Sequence, residues 1–398
     1  MNDFELCLST QFIFGKDAEK KAGATLAAAG ATKVLVLHDS GQFLYDSGLL
    51  AAVEQDLSDN GLGWVEFGKV KPNPDVSAVR EAITLCRDTG VDYILAIGGG
   101  SVIDSGKSIS AGLAYDGDVW DLFTTMKKAD PARKVPEAVI LTYPATGSES
   151  AFSVILDNAE TKQKKGMRGG GNWLRPEYAF MNPALSTTLP LKMSLCGVVD
   201  MYSHIVERYF CKTNYGLIDY MCEGAMKAII RYGRAIKADP TDYEARSEIM
   251  YAGSVAHNDT LSPGRRKDMG SHDIGHEISG MYDTIHGITI SVVMPHWMRH
   301  VYREDVDRFV RYAQEVFHIP HFSDNPEDIA LAGIDATQAW FEEMLMPTNF
   351  QDAGIPTDRI EELAQKAANQ RGGKPIGAFK PLYYDDILAI LKAAAGME

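Results

Sequence analysis

The sequence predicts an α/β domain with a parallel sheet over residues 1–183, followed by an all-helical domain over 184–398. Three observations carry this prediction. The first part alternates short β-branched runs with helical patterns, the grammar of βαβ units. The second part holds long amphipathic stretches and no convincing strand, and "MNPALSTTLP" (181–190) marks the change. At 398 residues the chain is also too long for one ordinary core.

The strands come first. "KVLVLHD" (33–39), "VDYILAIGGG" (91–100) and "AVILTYPAT" (138–146) are apolar along their length and end in turn residues. A parallel strand covered on both faces has this pattern. Between them, "LLAAVEQDLSDNG" (49–61) and "DVSAVREAITLCRDTG" (75–90) carry helical spacing and stop at Asn-Gly or Gly. Beyond the join, "LKMSLCGVVDMYSHIVERYF" (191–210), "YEARSEIMYAGSVAHN" (243–258) and "DRIEELAQKAANQ" (358–370) read as helices.

Composition narrows the function. The chain is 45% apolar and 23% charged, with a net charge of −15, which argues against nucleic-acid phosphates as partner. The lysines of "TKQKKGMR" (161–168) cluster in one loop, which does not make a basic face. No run approaches the ~18 apolar residues of a membrane span, and "MNDFELCLST" lacks the pattern of a signal peptide. Five cysteines with no C-x-x-C pair fit a reducing cytoplasm.

Two turns suit a phosphate. In "AIGGGSVIDSGKSISA" a strand runs into Gly98, Gly99 and Gly100, and Ser101 opens and can cap the next helix. Glycines let a ligand approach the backbone, and a helix start attracts anions. A tight strand-to-helix turn explains the glycines as well. However, "TYPATGSES" follows a second strand and offers Thr142, Thr146 and Ser148. Two such turns at parallel strand ends are where α/β sheets bind nucleotides. Asp39 ends an earlier strand, where a carboxylate can accept from ribose hydroxyls or simply form a turn.

The second half holds side chains that bind metals. Asp200 and His204 are four apart within an apolar helical pattern, and a buried Asp is unusual unless paired or metal-bound. "SHDIGHEISGMYDTIHG" (271–287) adds His272, His276 and His286. His272 and His276 share a helix face, and H-D-x-x-H resembles the H-E-x-x-H of zinc proteases. One carboxylate with imidazoles suits Fe(II) or Zn(II). His38, His257, His296, His300, His318 and His321 read as structural or solvated.

Taken in order along the chain, "TQFIFGKD", "GGGSVID", "PATGSES", "NPALSTTLP", "GVVDMYSHIVERY" and "GHEISGMYDTIHGITISVVMP" resemble the iron-dependent (group III) alcohol dehydrogenase family, most closely its butanol dehydrogenase branch. The resemblance covers about residues 10 to 300. It implies a dinucleotide-binding α/β domain, a helical metal domain and a cleft between them. Family metal ligands fall on Asp200, His204, His272 and His286, and His276 becomes a proton relay beside them. Coenzyme positions fall on Gly98, Gly99, Ser101, Asp104, Thr142, Thr146 and Ser148, and Lys162 matches a lysine on the nicotinamide ribose side.

The implied reaction is hydride transfer between a small primary alcohol and its aldehyde, with Fe2+ or alternatively Zn2+ as Lewis acid. A homodimer follows by family analogy. Many members of the branch have glycines where Asp39 stands and favour NADPH. A carboxylate repels a 2′-phosphate, so NAD(H) is expected over NADP(H). "MRGGGNWLRP" (167–176) is longer and richer in glycine than the family pattern, which bears on substrate range. The rivals are a glycerol-type polyol dehydrogenase or a dehydroquinate synthase-like lyase of the same superfamily, a metallohydrolase built on H-D-x-x-H, and a non-catalytic nucleotide-binding scaffold.

Overall fold

The computed structural model describes residues 2–125, 127–167, 171–213 and 216–397. The chain divides into two compact units, residues 7–189 and residues 190–398, with the first six residues belonging to the second. The expected join at 183/184 falls in a 3-10 turn, Pro183–Ser186, just before that division.

The first unit is built on strands β1 (Gln11–Phe14), β2 (Lys33–Asp39), β3 (Gly63–Val70), β4 (Tyr93–Gly98), β5 (Glu137–Leu141) and β8 (Tyr178–Met181), in the order β1-β8-β5-β4-β2-β3. Every pairing in this sheet is parallel. A separate antiparallel hairpin joins β6 (Ile155–Asn158) to β7 (Gln163–Gly166). Helices α1 (Leu49–Asp59), α2 (Val76–Thr89) and α3 (Gly100–Leu113) provide crossovers. In β4 and β5 every residue is buried, which explains their unbroken apolar runs. Register puts Gly98 beside Leu141 and His38 beside Ile97, so the strand ends carrying Asp39, Gly98 and Thr142 lie on one edge of the sheet.

The sequence reading found β2, β4 and β5 but not β1, β3 or β8. β1 and β3 are the sheet's two edges and are half-exposed along much of their length. β8 is interior but only four residues long, too short to show a period.

The second unit consists of helices α4 (Leu191–Tyr209), α5 (Leu217–Ala238), α6 (Tyr243–His257), α7 (Gly270–Tyr282), α8 (His286–Val301), α9 (Val306–Phe317), α10 (Pro326–Glu343), α11 (Ile360–Asn369) and α12 (Tyr384–Ala394). Among its described residues β structure is limited to one isolated bridge, Ile376 with Leu382. Its core runs through α4, where Leu195, Val198, Val199, Tyr202, Ile205 and Val206 are all fully buried. Arg208 and Arg308 fasten the end of α4. The first donates to His204 O at 2.7 Å and the second to Tyr209 O at 2.6 Å. No described helix is long and apolar enough to cross a membrane.

Candidate metal centre and coenzyme turns

α4 presents Asp200 and His204 one turn apart. The seventeen-residue histidine segment, by contrast, is two elements and not one. α7 ends at Asp283 in left-handed backbone (φ 50°), and α8 then begins at His286 itself. The break separates His286 from His272 and lets the two approach Asp200 from different helices.

Three imidazoles converge on one carboxylate oxygen. The Nε2 atoms of His204, His272 and His286 lie 3.8, 3.7 and 3.7 Å from Asp200 Oδ1. These separations are too long for hydrogen bonds. They are close to the spacing of ligands around one ion, about 3.4 Å for tetrahedral bonds of about 2.1 Å. Asp200, His204 and His272 are buried, with ligand atoms within 4.8 Å of one another. Asp200 Oδ1 and His272 Nε2 make no hydrogen bond among the described residues. Two buried polar atoms left that way are costly unless a cation meets them, so the donor set fits a divalent metal. His286 is the open side of the cluster, its side chain 24% exposed where those of His204 and His272 are nearly covered.

His276 sits beside the cluster. Its ring stacks on His286 with centroids 5.0 Å apart, and its centroid lies 6.1 Å from that of His272. Asp273 is held by Arg371, whose Nη2 donates to it at 2.6 Å.

One residue that the sequence reading did not flag lies against the cluster. Glu207, fully buried and one turn beyond His204, places Oε2 2.5 Å from His272 Nδ1 as an ion-pair contact. Its Oε1 accepts from the His272 amide at 3.1 Å. This is how a carboxylate orients a metal-binding imidazole through its far nitrogen. Burial alone would push His272 down, but Glu207 and Asp200 lift it to about 10. His204, which burial and the neighbouring His257 and His272 act on together, is held well below its ordinary value. His257, read as structural, packs its ring 4.2 Å from that of His204. The signal for Glu207 was its i, i+4, i+7 spacing with Asp200 and His204.

In the α/β unit the glycine turn differs from expectation in one detail. α3 starts at Gly100, with extended Gly99 as its N-cap and no side-chain cap, so Ser101 lies inside the first turn and does not cap it. The tight turn brings the backbone of the helix start to the sheet edge. A Cβ on Gly100 would sit 2.6 Å from Thr146 Oγ1, so the second turn packs directly on the first. Thr142 N donates to Gly98 O at 3.1 Å, and Ser148 N to Thr146 Oγ1 at 3.3 Å. Gly98, Gly99, Ser101, Thr142 and Thr146 thus gather at one edge. Asp104 and Ser148 stand behind them, bonded to each other at 2.5 Å.

Asp39 ends β2 on the same edge and accepts from Gly41 N at 2.6 Å, which is the turn-forming role. Lys162 is exposed, in left-handed backbone (φ 52°), within the β6–β7 turn. Two residues on, Lys164 turns inward and donates to Asn73 Oδ1 at 2.7 Å. Residues 168–170 of the glycine-rich segment lie outside the described residues.

Both units match known proteins. The iron-containing alcohol dehydrogenase family matches residues 9–183, and the C-terminal part of the Fe-containing alcohol dehydrogenase family matches residues 194–395. A probable NADH-dependent butanol dehydrogenase 1 of Bacillus subtilis (strain 168) is 35% identical over 395 residues, which cover 99% of this chain and all of that protein. The NADPH-dependent aldehyde reductase YqhD of Escherichia coli (strain K12) is 30% identical over 398 residues, 99% of this chain and all of that one. The crystal structure of an NADH-dependent butanol dehydrogenase A from Thermotoga maritima aligns with a TM-score of 0.93 at 32% identity, over 99% of each chain. The chain belongs to the iron-containing alcohol dehydrogenase family.

Proposed function

We propose that the protein is an alcohol dehydrogenase and aldehyde reductase that interconverts a small primary alcohol and its aldehyde with NAD(H). The observation that carries this reading is the convergence of three imidazole nitrogens on Asp200 Oδ1, in a chain that also carries two phosphate-friendly turns. Asp200, His204, His272 and His286 would hold the ion, Fe2+ by family and Zn2+ as the alternative. When bound, it supplies Lewis acidity to the substrate oxygen. The nicotinamide supplies or takes the hydride.

The chain's own residues do the rest. Glu207 orients His272 and keeps its Nδ1 side proton-bearing, so Nε2 is left for the ion. His286, on the exposed side, leaves room for substrate. His276, stacked on His286, takes up and releases a proton at an imidazole nitrogen. Gly98, Gly99, Ser101, Thr142 and Thr146 line the coenzyme, with Asp104 and Ser148 in support and Lys162 on the ribose side. Asp39, at the end of β2, supports NAD(H) over NADP(H), because its charge opposes a 2′-phosphate. A cytoplasmic homodimer is the state this reading expects, and the five free cysteines support a reducing compartment.

The test is a panel of short alcohols and aldehydes with NADH and NADPH, on protein reconstituted anaerobically with Fe(II) and separately with Zn(II). Aldehyde-dependent oxidation of NADH, with higher kcat/KM than for NADPH, is expected. Higher kcat/KM with NADPH overturns the coenzyme assignment, and no turnover with either overturns the reading.

A further inference from the structure

α3 carries a lysine two turns in from the glycine turn. Lys107 is fully buried, a rare state for a lysine. Its ammonium donates to Ser148 O at 2.6 Å, Ser148 Oγ at 2.7 Å and Ser153 O at 3.2 Å. Because Ser148 Oγ accepts from Lys107, its own proton goes to Asp104 Oδ1, 2.5 Å away. Asp104 Oδ2 accepts from Ile155 N at 2.8 Å. One helix face therefore fastens the segment 148–155 at Ser148, Ser153 and Ile155.

The chemistry explains why a lysine stands there. Three acceptors meet at one buried point, and only an ammonium brings three donors on one atom. An apolar residue would fill the space but leave two carbonyls and a hydroxyl unbonded. The same helix begins at Gly100, on which Thr146 packs. So α3 both starts the first turn and anchors the second.

We propose that Lys107 is a positioning residue for the coenzyme: through Ser148 and Asp104 it holds the second turn in register with the first, acting from behind without touching the ligand. The proposal rests on the reading that these turns bind NAD(H). It moves Asp104 and Ser148 from contact residues to parts of a clamp. Fixing both turns before the ligand arrives raises affinity by removing an ordering cost.

NADH fluorescence titration of the metal-free protein tests this in Lys107→Met/Asp104→Asn, which removes both partners of the clamp together, and in Ser148→Ala. Each is expected to raise the Kd for NADH on the order of 10-fold to 100-fold. The triple variant should add little to the double, because the groups act as one unit. Bound metal per chain after reconstitution should equal that of the unaltered protein. Unchanged Kd in the variants overturns the proposal, as do additive losses, which would make Ser148 an independent contact. Loss of bound metal along with NADH affinity overturns it too, in favour of general misfolding. If the unaltered protein fails to bind NADH, the reading of the turns falls instead.

Discussion

The two units build their sites in opposite ways. In the α/β unit, polar side chains near the turns are bonded within the protein: Lys107 to Ser148, Ser148 to Asp104, and Asp104 to the Ile155 amide. What such a site offers a ligand is backbone at a glycine turn. In the helical unit, buried polar atoms point at one place and leave each other unbonded. What that site offers is a set of lone pairs. A long flexible ligand with phosphates suits the first, and a compact cation the second. Internal satisfaction marks a scaffold for a ligand, whereas shared dissatisfaction marks a ligand's own coordination.

Three substitutions in the helical unit sharpen that contrast, the first two by striking the metal and sparing NADH binding. The largest effect is expected from Asp200→Ala, which removes the atom on which three imidazoles converge. Metal analysis should find the ion lost and turnover down by at least about a thousandfold, while NADH titration still gives the unaltered Kd. Retention of one metal per chain would break the assignment.

Glu207→Gln should be intermediate. It keeps the size of the side chain but removes the charge behind His272. Competition with a chelator is expected to show metal affinity lower by about 10-fold to 100-fold, again with NADH binding intact. An unchanged metal Kd would reduce Glu207 to a packing residue.

The smallest effect is expected from His276→Ala. Metal content should hold, while the dependence of kcat/KM on pH should change. Loss of metal would instead make His276 a ligand.

The legibility of the two sites differs as much as their construction. Asp200 and His204 could be paired from spacing alone because both sit in one helix. Distances show that His272 and His286 belong with them, but the spacing did not, because Asp283 breaks the helix and changes the geometry that a sequence count assumes. H-D-x-x-H pointed to His272 with His276, two histidines of a single helix, and said nothing of His286 on the next. Glu207 was in view throughout, yet a Glu followed by Arg reads as a solvated pair. Only tertiary packing buries both. Lys107 was passed over likewise, since nothing local distinguishes a lysine that turns into the core from one on the surface. The fold was more open to reading. Fully covered strands such as β4 announce themselves by composition, whereas edge strands β1 and β3 share their pattern with loops.

The residues around Asp200 come from three helices, α4, α7 and α8. An ion seated among them would therefore be a brace as well as a reagent. At a free metal concentration one hundred times its Kd, such binding adds about 2.7 kcal/mol to the stability of whatever must come apart to release it. Metal supply would then govern how long each copy of the protein survives proteolysis in the cell, and a starved cell would lose the enzyme itself along with its activity.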